Sequence, residues 1–270
     1  MRGLPELLVC EFMKLKRKKL IPAIVALSVL FPLLVVYVTK SGMSGDMSAA
    51  YLQQRFDYSY SLMLSYGLVL LEPCLLGILA SLLFFLERDN DTFKNIRVIP
   101  VTTTKLVLAK ILVLLIYSLI YTLANVLFTV LFTWILGAGT VYELGFKIGL
   151  ACLFSVGITV ASLPVIVCIV YFNKTYLISM LLSFFYAILS WGMLAVVSMN
   201  LSLIRIINCF PILCVMNWTS GLLLRHSPQK NLAPEAYAMI PSNLEAFAVL
   251  GVTLAVSLFL IFRFYRRWTR

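Results

Sequence analysis

Long, uninterrupted apolar stretches dominate the chain. Because a helix rises 1.5 Å per residue, about 20 mostly apolar residues cross the roughly 30 Å hydrocarbon core of a bilayer. The pattern predicts six transmembrane helices, at Leu20–Val38, Leu62–Leu86, Leu106–Leu136, Ile148–Tyr171, Tyr176–Met199 and Leu244–Phe264. These stretches are continuous rather than alternating, which argues against a membrane β-barrel. We therefore predict an all-α membrane protein in which residues 1–270 form a single transmembrane domain.

Two further segments are predicted to be helical without crossing the membrane. Leu4–Lys19 has apolar positions at helical spacing before a run of lysines, which indicates an N-terminal interfacial helix; a helical basic flank of the first span is the alternative. Leu201–Leu224 is apolar but contains Arg205 and Pro211, which suit a lipid-facing span poorly. We predict re-entrant or interfacial helices there, on the outer side between spans five and six.

Composition agrees with a lipid environment. Apolar residues make up 62% of the chain and charged residues 12%, against about 25% charged residues in a typical soluble domain. This balance excludes a cytosolic enzyme, a disordered chain and a secreted disulfide scaffold. The six cysteines show no CxxC or Cys/His metal spacing, so we interpret them as core residues.

The positive charge lies mostly on one side of the predicted bilayer. With a cytoplasmic N-terminus, the inner segments hold 16 of the 22 lysines and arginines and the outer segments hold 6. Cytoplasmic loops of membrane proteins are enriched in these residues. We therefore predict an inner-membrane protein with both termini cytoplasmic. Its net charge of +11 then serves topology and contact with membrane lipids, and no nucleic-acid partner is expected.

The chain carries no recognised catalytic motif. It has no phosphate-binding loop, no HExxH and no GxSxG, and its one histidine, His226, falls in an outer segment. The predicted connections, including the first outer loop between Val38 and Leu62, are too short for a soluble catalytic domain. We expect no catalytic residue, metal or cofactor on this chain, so energy-driven work requires another protein.

The segment between spans two and three has the most distinctive pattern. It reads ERDNDTFKNIRVIPVTTTK from Glu87 to Lys105. Acidic and hydroxyl residues suit the start of a short helix, apolar residues recur along one edge, and a proline ends it. We predict a rigid amphipathic helix that passes movement from a soluble partner into the bilayer. A plain interfacial connector is the alternative.

This segment resembles the loop of type-two ABC transporter permeases, which is roughly a Glu, a Gly-Thr-x-Lys and a Pro-hydrophobic-Ser/Thr before a Lys. Asp91 stands where Gly is usual. The size, N-terminal elbow helix, six spans and apolar outer segment look most like the permease subunits of lantibiotic-immunity and bacitracin-resistance transporters. The resemblance implies an ATPase-coupling element made of Glu87, Asp91, Thr92, Phe93, Lys94, Ile96, Arg97 and Pro100.

The resemblance also implies the partners. Two permease subunits, identical or homologous, would pair, and each would dock on one of two ABC ATPase subunits that bind ATP and Mg. We expect such a complex to expel an amphipathic antimicrobial peptide, or a related hydrophobic compound, from the membrane for self-protection. The alternatives are an exporter of another lipid-like or drug substrate and a non-transporting membrane scaffold or sensor.

One acidic residue lies near the centre of the second predicted span. Glu72 is followed by Pro73. A charged carboxylate at that depth costs roughly 3 kcal/mol, so it should be protonated, paired or facing a polar cavity. Pro73 frees a backbone carbonyl and can kink the helix. Glu72 is therefore interpreted as part of a substrate path, as a latch between helices, or as a packing device.

Overall fold

A computed structural model describes residues 3–16, 20–43, 48–89, 102–172, 175–199, 204–226 and 239–268. These residues are helical apart from short connections and contain no strand. The α-helices are α1 (Leu4–Lys16), α2 (Leu20–Gly42), α3 (Ala49–Leu62), α4 (Val69–Asp89), α5 (Thr103–Leu136), α6 (Leu144–Phe172), α7 (Tyr176–Met199), α8 (Ile204–Ile207), α9 (Pro211–His226) and α10 (Asn243–Trp268). A π-helical turn, Met63–Leu68, joins α3 to α4.

Five helices within the described residues are long and apolar enough to cross a membrane. They are Ala49–Glu87, Thr103–Leu136, Leu144–Phe172, Tyr176–Met193 and Asn243–Arg267, which correspond to predicted spans two to six. The first predicted span, Leu20–Val38, lies within α2. This helix has 23 residues, of which Ala26–Gly42 form a shorter apolar helix, and the sixth crossing stays a prediction.

The second span begins earlier than its hydropathy indicates. Most of the predicted first outer loop is α3, whose N-cap Ser48 accepts a hydrogen bond from the backbone N–H of Tyr51 at 3.4 Å. The π-helical turn then carries the helix into α4. A Cβ on Gly67 in this turn would lie 2.3 Å from the ring of Phe31, so α2 packs directly against its backbone. The predicted outer connection is therefore largely helical, because α3 is polar enough to end the apolar stretch although the helix continues.

The two ends of the bundle are named here after the predicted orientation. The inner end carries α1, the carboxyl end of α4 and the amino end of α5, and the outer end carries α3 and the amino end of α6. One buried apolar cluster joins α1, α4, α5, α6 and α10 and includes Leu15, Phe84 and Tyr265. A second cluster joins α3 to α4, α6 and α9 and includes Tyr60 and Phe154. Burial of these apolar side chains holds the helices in register.

The predicted outer segment Leu201–Leu224 contains α8 and α9. With 16 residues, α9 is shorter than a membrane span. It lies beside the first half of α6: a Cβ on Gly157 would touch Val215 at 3.0 Å, and the rings of Phe146 and His226 are 4.0 Å apart between centroids. A buried helix along half of a span has the dimensions expected of a re-entrant segment, and its depth in a bilayer stays a prediction.

Candidate functional site

Most of the predicted coupling element lies outside the described residues. This applies to Asp91, Thr92, Phe93, Lys94, Ile96, Arg97 and Pro100. The coupling helix therefore stays a prediction. The structure describes both flanks of the segment: Glu87 near the end of α4, and Thr102, which is the N-cap of α5 although its side chain makes no capping hydrogen bond.

Glu87 lies in a buried group of ionisable side chains at the inner end. We name Glu11, Lys14, Glu87, Lys110 and Tyr265 the inner charge cluster. The Nζ of Lys110 is 2.9 Å from Oε1 of Glu87 and 3.1 Å from Oε2 of Glu11. The hydroxyl of Tyr265 donates to Oε2 of Glu87 at 2.6 Å. The cluster therefore connects α1, α4, α5 and α10 at one point.

The ammonium group of Lys110 is completely hydrogen-bonded. It is fully buried, and besides the two carboxylates it donates to the carbonyl oxygen of Leu83 at 2.6 Å. An ammonium has three donors, so all of them are used. Removing a charge from water costs several kcal/mol, which is offset only when partners are close and every donor is satisfied. Two lysines and two glutamates balance the formal charge of the cluster.

Lys14 completes the cluster from the side of α1. Its Nζ pairs with Glu11 and lies 2.9 Å from Oε1 of Glu87. Burial favours the neutral amine, but the two carboxylates outweigh burial, and the pKa of Lys14 lies above its ordinary value of 10.5. Lys14 is therefore a cation at neutral pH and holds α1 against the end of α4.

The position of Glu87 differs from that of a residue on an exposed docking surface. The resemblance assigns Glu87 to the ATPase-facing element, yet the side chain is 1% exposed and both carboxylate oxygens have partners within the bundle. Glu87 precedes the segment 90–101, and Lys110 follows it in α5. The ion pair between them therefore holds together the ends of α4 and α5 that the predicted coupling segment connects.

Glu72 lies in a different environment, in the middle of the bundle. Its carboxyl group accepts hydrogen bonds from Ser118 and Thr122 of α5, and the Thr122 hydroxyl is 3.2 Å from both carboxyl oxygens. The Ser118 hydroxyl is also 2.7 Å from the Ser155 hydroxyl of α6. We name Glu72, Ser118, Thr122 and Ser155 the hydroxyl site. Among the described residues no cation pairs with Glu72, and Pro73 beside it lies within α4.

The hydroxyl site leaves no room for a cargo. The cavity that Glu72 and Ser118 line measures about 10 Å³, which is the space of about one water molecule. Glu72 itself is 1% exposed. Its hydrogen bonds join α4 to α5 and, through Ser118, to α6. This geometry favours the latch or packing interpretation of Glu72 over the substrate-path interpretation.

Sequence reasoning missed most of the inner charge cluster, because none of Glu11, Lys14, Lys110 and Tyr265 was predicted to be a site residue. Lys110 did carry a usable signal. It lies about one turn inside the apolar stretch that begins at Leu106, and a lysine within a span requires a partner. A second missed group lies at the outer end, where buried Lys147 pairs with Asp57 at 2.9 Å. The ammonium of Lys147 also lies 3.7 Å from the ring centroid of Tyr142.

Comparison with known proteins identifies the family. A family model described as ABC-2 family transporter protein matches residues 7–190, from α1 into α7. No curated protein and no solved structure matches the chain. The matched region holds the hydroxyl site and every member of the inner charge cluster except Tyr265. Members of this family are membrane transport subunits that normally work with an ABC ATPase. The chain therefore belongs to the ABC-2 transporter family and is the integral-membrane permease subunit of an ABC transporter.

Proposed function

We propose that this permease uses ATP hydrolysis on partner ATPase subunits to expel an amphipathic, lantibiotic-like peptide from the inner membrane for self-protection. The observation that supports the coupling role is the buried ion pair between Glu87 and Lys110, which holds together the helix ends on either side of the predicted coupling segment. The choice of cargo rests on the resemblance to lantibiotic-immunity permeases. The proposed complex has two ATPase copies, with ATP and Mg, and a second permease, identical or homologous.

In this proposal, closure of the ATPase pair displaces the segment 90–101. Glu87 and Lys110 move with it because they flank it on α4 and α5. Their bonds to Glu11, Lys14 and Tyr265 carry α1 and α10 along. A fully satisfied buried network has few alternative arrangements, so it transmits displacement as a unit. Glu87 therefore acts as a transmitting residue inside the bundle rather than as a direct contact for the ATPase.

Glu72 then transmits the movement to helices further from the inner end. Its bonds to Ser118 and Thr122 make α5 follow α4, and the contact of Ser118 with Ser155 extends this link to α6. We propose that Glu72 and Pro73 form the latch between these helices. The cavity of about 10 Å³ beside Glu72 favours a cargo route outside the interior of one copy. The lipid-facing sides of α7 and α10, which are largely uncovered, offer such a surface to a second permease or to lipid.

The first experiment tests docking. The permease is co-expressed with its ATPase, and the amount of ATPase that co-purifies is measured for Phe93→Asp and for a matched control, Phe172→Asp. Phe172 is an exposed aromatic residue at the inner end, outside the coupling segment. A charge placed in the docking groove should lower co-purification at least about tenfold, because burial of an unpaired carboxylate opposes binding. Undiminished association of Phe93→Asp contradicts the docking role.

The second experiment tests the cargo. The complex is expressed in a susceptible bacterium, and the minimal inhibitory concentrations of lanthionine-containing peptides and of uncharged hydrophobic drugs are measured. Resistance to the peptides that disappears when the ATP-binding lysine of the ATPase is replaced supports the proposal. Resistance to the drugs alone assigns the permease to drug export. If an assembled, ATP-hydrolysing complex changes no susceptibility, self-protection is the wrong function.

A further inference from the structure

A cationic cleft lies at the inner end between the last turns of α10 and the first turn of α5. Its volume is about 610 Å³, and it is lined by Thr104, Phe259, Phe262, Arg263, Arg266 and Arg267. No acidic side chain is among the described residues that line it. None of these residues belongs to the inner charge cluster or to the hydroxyl site.

The arrangement of charge and apolar surface in this cleft follows the membrane normal. Phe259 lies one helical turn nearer the bilayer centre than Arg263, because four residues of helix rise about 6 Å. Val252, Val256 and Phe259 recur at helical spacing on the same face as Arg263, and all three are strongly exposed. The face therefore presents a cationic head above a continuous apolar stripe.

The arginines of this cleft suit an anionic phosphate group rather than a purely apolar ligand. Arginine guanidinium groups bind phosphate oxygens with two parallel hydrogen bonds. The guanidinium of Arg267 lies 5.6 Å from the ring centroid of Phe264, a contact that restrains its position. The hydroxyl of Thr104 adds a neutral donor from α5 on the opposite wall of the cleft.

We propose that this cleft binds an anionic glycerophospholipid of the inner leaflet. The phosphate is held by Arg263 and Arg267, and one acyl chain follows the stripe from Phe259 to Val252. A soluble phosphate compound provides the same anion but no acyl chain, and it leaves the apolar stripe uncovered. A lipid bound here contacts both α10 and the first turn of α5, so it joins two helices that flank the inner charge cluster. The proposal uses the predicted orientation of the inner end but neither the ATPase nor the peptide cargo.

The test uses the purified full chain in a neutral detergent, without ATPase. Native mass spectrometry measures binding of phosphatidylglycerol, of phosphatidylcholine and of glycerophosphoglycerol, which is the headgroup without acyl chains. We expect phosphatidylglycerol to bind more tightly than phosphatidylcholine. Glycerophosphoglycerol should not compete at a hundredfold excess, because its affinity should be at least roughly 100-fold lower than that of phosphatidylglycerol. The double variant Arg263→Gln and Arg267→Gln should weaken phosphatidylglycerol binding roughly 30-fold, since each basic residue near an anionic membrane surface raises the affinity about five- to sixfold.

The matched control is Arg205→Gln together with Arg225→Gln. These two exposed arginines lie on α8 and α9, and their replacement removes the same charge from the chain. The control should bind phosphatidylglycerol as the unchanged protein does. Equal binding of the two lipids overturns the proposal, as does an equal loss in both double variants, which indicates general charge attraction. Full competition by glycerophosphoglycerol overturns it too and indicates a site for soluble phosphate.

Discussion

Two buried glutamates on the same helix have contrasting surroundings. Glu72 and Glu87 both lie on α4, and each is 1% exposed. Among the described residues, Glu72 meets the hydroxyl groups of Ser118 and Thr122, whereas Glu87 meets two ammonium groups and a phenol. Burial alone therefore does not define what a membrane carboxyl group does. The chemistry of its partners distinguishes a link through hydroxyl groups from a junction of charged groups.

The contrast has a physical reason. Hydroxyl donors need only acceptor oxygens, which a carboxyl group and an amide both provide. Buried ammonium groups need negative charge, because a desolvated cation without a counter-ion is costly. Replacement of Glu72 by a neutral isostere should therefore be tolerated, and replacement of any central member of the inner charge cluster should not.

The largest effect is expected from Lys110→Met. This change removes the central cation, so Glu11 and Glu87 each lose one ammonium partner. Breaking a buried pair by removing one partner costs about 3–5 kcal/mol. Thermal unfolding of the purified permease measures the loss. The matched control is Lys105→Met on the same helix, where the side chain is exposed, and it should change stability little. Equal losses in the two variants contradict a central role for the cluster.

The next effect is expected from Glu87→Gln. The substitution keeps the shape of the side chain but removes the charge that both lysines face. Hydrogen bonds to charged groups contribute about 1.5–3 kcal/mol, so a loss in that range is expected. ATP hydrolysis by the assembled complex should also respond less to cargo, because the junction beside the coupling segment is weaker. Wild-type stability in Glu87→Gln means that the cluster does not depend on this carboxylate.

A smaller and pH-dependent effect is expected from Lys14→Met. The pKa of Lys14 is raised in the folded protein. Its contribution to the free energy of unfolding is therefore fully present below pH 10.5 and is lost as the pH rises through the folded-state pKa. The substitution should lower the free energy of unfolding by about 1 kcal/mol at pH 8. The difference in stability between the variant and the unchanged protein should become smaller above pH 10.5. Thermal unfolding at the two pH values measures this difference. A difference that stays constant contradicts the assignment.

The smallest effect is expected from Glu72→Gln. The amide oxygen still accepts from Ser118 and Thr122, so the loss should be about 0.6 kcal/mol, typical of a polar contact between membrane helices. Glu72→Ala serves as the comparison, since it removes the acceptors and opens a cavity, and it should cost about 2–5 kcal/mol. If Glu72→Gln destabilises as strongly as Glu87→Gln, the hydroxyl site requires charge and the contrast between the two glutamates fails.

Much of the architecture was predictable because lipid imposes a simple rule on sequence. Apolar stretches of span length identified the helices that became α4, α5, α6, α7 and α10. Glu72 was also found from sequence, since a carboxyl group within such a stretch stands out. The helix α3 was not found, because its polar residues, including Gln53 and Gln54, end the apolar signal while the backbone remains helical.

The inner charge cluster could not be assembled from sequence. Glu11 and Lys110 are 99 residues apart, and Glu87 and Tyr265 are 178 apart, so no local spacing connects them. The lysines that form it were counted with the inner-side charges that set orientation. Their burial depends on how α1 folds back between α4 and α5, which is a property of packing.

The sequence by itself determined the solvent, the helical class and the approximate spans, because the hydrophobic effect acts on each stretch separately and leaves a local record. Tertiary structure alone decided which ionisable groups meet. Coulomb attraction and desolvation depend on distances between helices, and hydropathy does not encode those distances. Glu72 and Glu87 therefore have the same side chain on one helix, and only the helices packed around them gave one hydroxyl partners and the other ammonium partners.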